Sequence, residues 1–238
     1  NVPPSGGDES LCIGGCYMIE KKKSPISNIY LGRSIANLEI NELKNTFKKQ
    51  KFKIKYNIDH KEIANLLYKG EIVAVARDRE EFGARALGNR SILASPNNID
   101  TVRKINEQIK NRDFWMPFAL TILEDHHKKF LKNKKNINSE FMTVAMDSVA
   151  RNYKNIISGS HQYDQTVRPQ ILSKDKNEQF YNLINEFEKI SKIPALLNTS
   201  LNLHGLPIAS NLQNIAEVIK KSNLKYLYLN DNILVEKK

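Results

Sequence analysis

The chain has 238 residues and a net charge of +11, with 40% hydrophobic and 26% charged residues. That balance is ordinary for a soluble globular chain and allows one large or two small domains. No run approaches the ~18 consecutive apolar residues of a membrane span, and the polar start shows no signal peptide. Neither a membrane partner nor a low-complexity segment is expected.

The positive charge suits nucleic acid, an acidic surface or small anionic substrates. Lysine runs at 20–24, 47–55 and 132–136 read as solvated surface. Cys12 and Cys16 provide no disulfide framework, which fits a reducing cytoplasm. Four apart on a helix they face one side, too few for zinc, and read as small buried residues.

In chain order, residues 1–22 form a Gly-rich loop and a small-residue helix from Ser10 to about Ile19. The chain opens in mid-motif at Asn1 and reads as a fragment of a longer protein. Residues 23–34 read as a linker, and the main body is expected over 35–238. A helix over 40–50 places Ile40, Leu43 and Phe47 on one stripe. The next, over 59–70, starts with a capping box, Asp59 with Glu62, and ends at Gly70. The apolar stretch 71–76 is a strand. A helix over 101–110 turns Val102, Ile105 and Ile109 inward. A strand over 117–123, a short exposed helix over 124–131 and a strand over 141–146 follow. The helix over 177–191 puts Phe180, Leu183, Ile184, Phe187 and Ile190 on one face. Then come a buried strand over 193–198, a helix over 211–222 and a hairpin turning at Asn230, Asp231 and Asn232. The alternation predicts α/β layers.

Three polar clusters sit at strand ends, where open α/β sheets place ligands. In "EEFGARALGNRSILA" (80–94), Arg85 and Arg90 offer guanidinium forks for anions, with Asn89 and Ser91 beside them. Gly83 and Gly88 would let the backbone come close to an anion. A solvated loop would use the same residues. In "GSHQYDQTVRPQ" (159–170), a strand would aim Asp164, Thr166, Arg168 and Gln170 at one face, near His161. An exposed edge strand reads equally well. In "LLNTSLNLHGLPI" (196–208), Asn198, Thr199, Ser200 and Asn202 suit a planar, amide-like ligand, or ordinary turn chemistry. His126 and His127, adjacent on a helix, do not converge and read as solvated. There is no Walker A pattern, dinucleotide GxGxxG, Cys/His cluster or G-x-S-x-G elbow.

In this order the clusters resemble the C-terminal part of the NodU/CmcH-type O-carbamoyltransferases. The family's "EFGPRALGNRSILA" stands here as "EFGARALGNRSILA", its "K.RE.FRPFA" as "KNRDFWMPFA" (110–119), its "H.DGT.R.Q" as "HQYDQTVRPQ" and its "LLNTSFN..GEPI" as "LLNTSLNLHGLPI". The resemblance runs from about residue 3 to the end. It implies a YrdC-like domain at 35–238, a twisted open mixed sheet with helices, after the remnant of an actin-like, threonylcarbamoyl-transferase-like domain at 1–22. It implies that carbamoyl phosphate and ATP, with magnesium, give carbamoyl adenylate, which passes to a hydroxyl acceptor bound by the preceding domain. On this reading Arg85, Arg90 and Arg168 serve the chemistry. Asn89, Ser91, Lys110, Arg112, His161, Asp164, Thr166, Asn198, Ser200 and Asn202 bind substrate or nucleotide. Asp8 of "GGD" supplies one carboxylate to a transition metal, expected to be iron, only in the intact enzyme. A cytoplasmic protein, in a homodimer or alone, is expected.

The sequence departs from the family where Arg77 and Asp78 replace Gln-Gly, Ala84 a proline, Ser95 and Pro96 an Asp-Pro, Gln165 a glycine and Leu206 a glutamate. The departures at Asp78 and Leu206 motivate a second reading, a degenerate, non-catalytic partner subunit. A third, RNA binding, follows from the charge. It is disfavoured because few aromatics interleave with the lysines for bases to stack on.

Overall fold

The computed structural model describes residues 4–21, 26, 28–110 and 116–238. Ten strands are found there: β1 Phe52–Tyr56, β2 Val73–Ala76, β3 Arg90–Ala94, β4 Ala119–Leu123, β5 Met146–Asp147, β6 Thr166–Val167, β7 Pro169–Leu172, β8 Ala195–Ser200, β9 Tyr226–Leu229 and β10 Ile233–Lys237. The α-helices are α1 Glu9–Glu20, α2 Ile40–Thr46, α3 His60–Tyr68, α4 Asp100–Ile105, α5 Glu178–Ser191 and α6 Leu212–Lys221.

The strand period of two explains the layers. Val73 and Val75 of β2 point into one core with Leu93, Leu196, Tyr226 and Tyr228, under Phe180, Leu183, Ile184 and Phe187 of α5 and Ile63 and Leu67 of α3. Ala74 and Ala76 point the other way, with Ile92, Leu197, Leu227 and Leu229, against Leu43 of α2 and Ile215 and Ile219 of α6. The result is an eight-stranded sheet with helices on both faces, in the order β1-β10-β9-β2-β3-β8-β4-β7. The pairs β2–β9 and β4–β7 are parallel and the rest antiparallel, so the sheet is mixed, as the resemblance implied. β5 and β6 form a small separate ribbon.

The helix ends follow their side chains. Asp59 accepts from the Glu62 N–H at 2.9 Å to start α3, and Gly70 just past it adopts φ +85°. Asn177 and Asn211 cap α5 and α6 in the same way.

Several elements differ from expectation. The lysine run 47–55 contains an edge strand: β1 turns Phe52 and Ile54 into the core, while Lys53 and Lys55 alternate with them. "RSILA" is strand β3, buried throughout, rather than the end of a loop. The helix expected over 101–110 holds α geometry only to Ile105 and continues as a π-helix over Asn106–Lys110. The helix at 124–131 is a 3₁₀ segment, Glu124–Lys129, and His127 in it is buried, its Nδ1 2.6 Å from the Glu124 carbonyl. His126 lies 3.4 Å from Glu188. Of the 141–146 stretch only Met146 is strand, as the first residue of the two-residue β5. Cys12 and Cys16 are exposed, not buried, because α1 buries none of its side chains among the described residues.

Residues 28–34, within the stretch read as linker, and Ile35 after them lie along the segment 78–82. Phe82 N–H donates to Ile29 O, Gly32 N–H to Glu80 O and Ile35 N–H to Asp78 O. No helix among the described residues is long and apolar enough to cross a membrane.

Candidate functional site

Because β8 runs antiparallel to both β3 and β4, its C-terminal end lies beside their N-terminal ends, and beside that of β7, parallel to β4. One sheet edge therefore gathers residues far apart in sequence. A polar cleft of about 60 Å³ opens there, lined by Arg85, Arg168, Asn198, Thr199 and Ser200 and floored by Phe118 and Met142. Arg85 is exposed at its rim, whereas Asn198 and Thr199 are buried. The cleft holds a group of a few heavy atoms, not a nucleotide. A larger groove, about 240 Å³, adjoins it through Pro117 and Phe118 and is lined by Met116, His161 and Tyr163.

The loop carrying Arg85 is held by a residue the sequence reading passed over. Glu81 is buried, and its Oε1 accepts from the backbone N–H groups of Leu87 (2.7 Å), Asn89 (2.7 Å) and Arg90 (3.2 Å). Burial raises its pKa, and those backbone bonds oppose the rise. The signal available was a carboxylate just past a buried strand, beside glycines, in the most specific motif.

Arg90 belongs to this scaffold and not to an anion clamp. It is fully buried, and its guanidinium donates to the carbonyls of Arg77 (2.6 Å), Asn89 (2.9 Å), Arg33 (3.0 Å) and Asp78 (3.0 Å). Asn89 bridges Arg79 O (2.7 Å) and Asn177 Nδ2 (2.9 Å), and Ser91 Oγ accepts from Gly88 N–H (3.0 Å). Both are buried and neither lines this cleft. Asn202 accepts from Ser200 Oγ (2.6 Å) and donates to the carbonyls of Leu203 and Leu206, so it braces a turn and, through it, Ser200.

The second cluster does not form the expected row. Asp164 sits in a turn, Thr166 is on β6 and Gln170 is inside β7. Asp164 accepts from Thr166 N–H (2.9 Å), Thr166 Oγ1 (2.8 Å) and pairs with His161 Nδ1 (3.1 Å). The Thr166 bonds first, then His161, hold its carboxyl below the usual range. Of this cluster, Arg168 reaches the cleft and His161 the adjoining groove. Arg112 and the Lys110 side chain lie outside the described residues.

Two departures from the family keep the backbone that glycine would adopt: Asp78 has φ +34° and Gln165 φ +60°. Arg77 is buried over the Phe180 ring, its Nε 3.1 Å from Asp231 Oδ1 but without hydrogen-bond geometry. Asp8 precedes α1 without a side-chain cap. Among the described residues no three His, Cys, Asp or Glu side chains converge on a metal. These residues alone do not fit one.

Fold and site together define a mixed α/β domain that gathers guanidinium, amide and hydroxyl groups at one sheet edge. The family described as carbamoyltransferase C-terminus matches residues 64–237, and the chain belongs to that family. It is 39% identical over 242 residues to the uncharacterized protein MJ1051 of Methanocaldococcus jannaschii, covering 99% of this chain and 46% of that protein. Against the 3′-hydroxymethylcephem-O-carbamoyltransferase of Amycolatopsis lactamdurans it is 27% identical over 175 residues, 73% of this chain and 32% of that enzyme. The chain thus spans less than half the length of these relatives. Full-length HypF in its phosphate- and nucleotide-bound form superposes with a TM-score of 0.47 at 14% identity, over 72% of this chain and 21% of HypF.

Proposed function

We propose that this chain is the carbamoyl-activating part of an O-carbamoyltransferase, using carbamoyl phosphate and ATP, with magnesium, to make carbamoyl adenylate for a hydroxyl acceptor. The observation that carries the reading is the convergence of Arg85, Arg168, Asn198 and Ser200, from three separate motifs, on one cleft. Cations at the rim suit the phosphate oxygens, and the amide and hydroxyls deeper in suit a planar carbamoyl group. The adjoining groove, with Tyr163 and His161 on an apolar wall, suits a nucleobase. The atoms balance if water takes the phosphoryl group as phosphate. The carbamate left behind attacks the α-phosphorus of ATP and expels pyrophosphate. Such chemistry rests on positioning and charge stabilisation, so the cleft needs no side-chain nucleophile. Asp8 would add one carboxylate to an iron site completed outside this chain.

RNA binding finds less support. Phe47 and Phe52, the aromatics within the lysine run, are buried and have no face for a base.

The test is isotope exchange between labelled pyrophosphate and ATP. Label should enter ATP only when carbamoyl phosphate is present, and Arg85→Ala and Arg168→Ala should suppress it. Exchange that ignores carbamoyl phosphate, or none with the longer native protein, removes the adenylate reading.

A further inference from the structure

Behind the cleft, a chain of hydrogen bonds runs through the core from β7 to β4 to β8. Gln170 Nε2 donates to the Leu87 carbonyl at 3.3 Å. Thr121 Oγ1 donates to Gln170 Oε1 at 2.7 Å. Asn198 Nδ2 donates to Thr121 Oγ1 at 3.0 Å and to the Ala86 carbonyl at 3.2 Å. All three side chains are buried, and of the three only Asn198 lines the cleft.

The direction of this chain is fixed by counting protons. The Gln170 amide nitrogen is committed to a carbonyl, which leaves its oxygen facing Thr121. The single hydroxyl proton of Thr121 goes to that oxygen, so Thr121 can only accept from Asn198. Both N–H bonds of Asn198 are then used. What remains is Asn198 Oδ1, a buried acceptor with no partner among the described residues. A network serving only the core would be expected to satisfy it.

We propose that Thr121 and Gln170 are positioning residues that lock the Asn198 amide with Oδ1 as the acceptor for the amino group of the carbamoyl donor. The locked amide selects carbamoyl phosphate over an acyl phosphate bearing methyl in place of the amino group. The inference rests on the proposed function. Amino and methyl groups are close in size, so the cleft's shape does not separate them. An acceptor held at the right place does, since only one of the two can donate. An amide free to flip would present its own N–H groups instead and lose the distinction.

The experiment is calorimetric titration of the 238-residue chain with carbamoyl phosphate and with acetyl phosphate. The parent should prefer carbamoyl phosphate by about tenfold or more, the scale of one buried hydrogen bond left unmade. Thr121→Val keeps the shape and removes the hydroxyl. It should bring the ratio close to one while acetyl phosphate still binds, and Thr121→Ser should restore it. Gln170→Met frees the Thr121 proton to turn toward Asn198 and should collapse the ratio too; it also serves if Thr121→Val does not fold. A parental ratio in both variants, or equal loss of both ligands, overturns the proposal. If the parent binds neither ligand, the proposed function fails and this inference falls with it.

Discussion

The Arg90 guanidinium donates to the Arg77 carbonyl at 2.6 Å, across the turn that joins β2 to β3. That contact separates the two arginines of one motif by role. Burial draws the Arg90 pKa down, and the charges of Glu81, Glu80 and Asp78 push it back up. Among the described residues its donors end on five peptide carbonyls, those of Arg77, Asn89, Arg33, Asp78 and, at 3.4 Å, Ser210, while Arg85, five residues earlier, stands exposed at the cleft.

Arg90→Ala should therefore cost stability, about 3–5 kcal/mol, because it strands several buried carbonyls that a charged group had satisfied. Arg85→Ala should change stability by no more than about 0.5 kcal/mol and weaken binding of carbamoyl phosphate. Urea denaturation and calorimetry of the two variants give the comparison. An Arg90→Ala protein as stable as the parent would remove its scaffold role.

The sequence carried some of this plainly and hid the rest for physical reasons. α5 was legible because its apolar residues recur at helical spacing and one face is fully covered. β1 was not, since Lys53 and Lys55 between Phe52 and Ile54 look like a charge run until the edge pairing with β10 is seen. β3 was hidden because Arg90 and Ser91 are polar yet wholly buried. The meeting of Arg85, Arg168, Asn198 and Ser200 followed from three motifs, but their arrangement depends on strand order. The misassignment of Arg90 has a chemical cause: a guanidinium fork suits peptide carbonyls as well as phosphate oxygens, and residue type alone does not choose between them.

Gln165 holds φ +60° in the exposed turn between His161 and Thr166. A side chain in the left-handed region costs ~1–2 kcal/mol, and glycine returns part of this through its greater freedom when unfolded. Gln165→Gly should stabilise the chain by roughly 0.5–1 kcal/mol, and Gln165→Val should destabilise it. Thermal melts of both decide the point. A lower midpoint for the glycine variant would mean that the Gln165 side chain contributes more than its backbone costs.

Gly88 has φ +113°, and a Cβ there would enter the Phe180 ring. Gly88→Ala combines a strained backbone with overpacking, each worth ~1–3 kcal/mol. Adding Phe180→Ala removes the overlap and leaves the backbone term. The double variant should be distinctly more stable than the sum of the two single effects predicts. Strict additivity in denaturant titrations would show that the ring is not what excludes a side chain at this position.

Glu81 links this loop to pH. Its Oε1 holds three backbone N–H groups while Oε2 is buried without a hydrogen-bond partner among the described residues, and the net effect is a pKa raised above the ordinary 4.5. Between 4.5 and the raised value, the folded chain binds more protons at this group than the unfolded chain does. The contribution of Glu81 to stability must then decline as pH rises through that window, and recover on acidification. Glu81→Gln keeps an oxygen for the same three N–H groups and has no proton to lose. The stability of Glu81→Gln relative to the parent should increase with pH above 4.5 and level off past the folded-state pKa. Urea titrations of both proteins from about pH 4 to pH 8 measure the difference. A difference that stays flat, or runs the other way, would mean that the three N–H bonds outweigh burial and that Glu81 is held as a carboxylate.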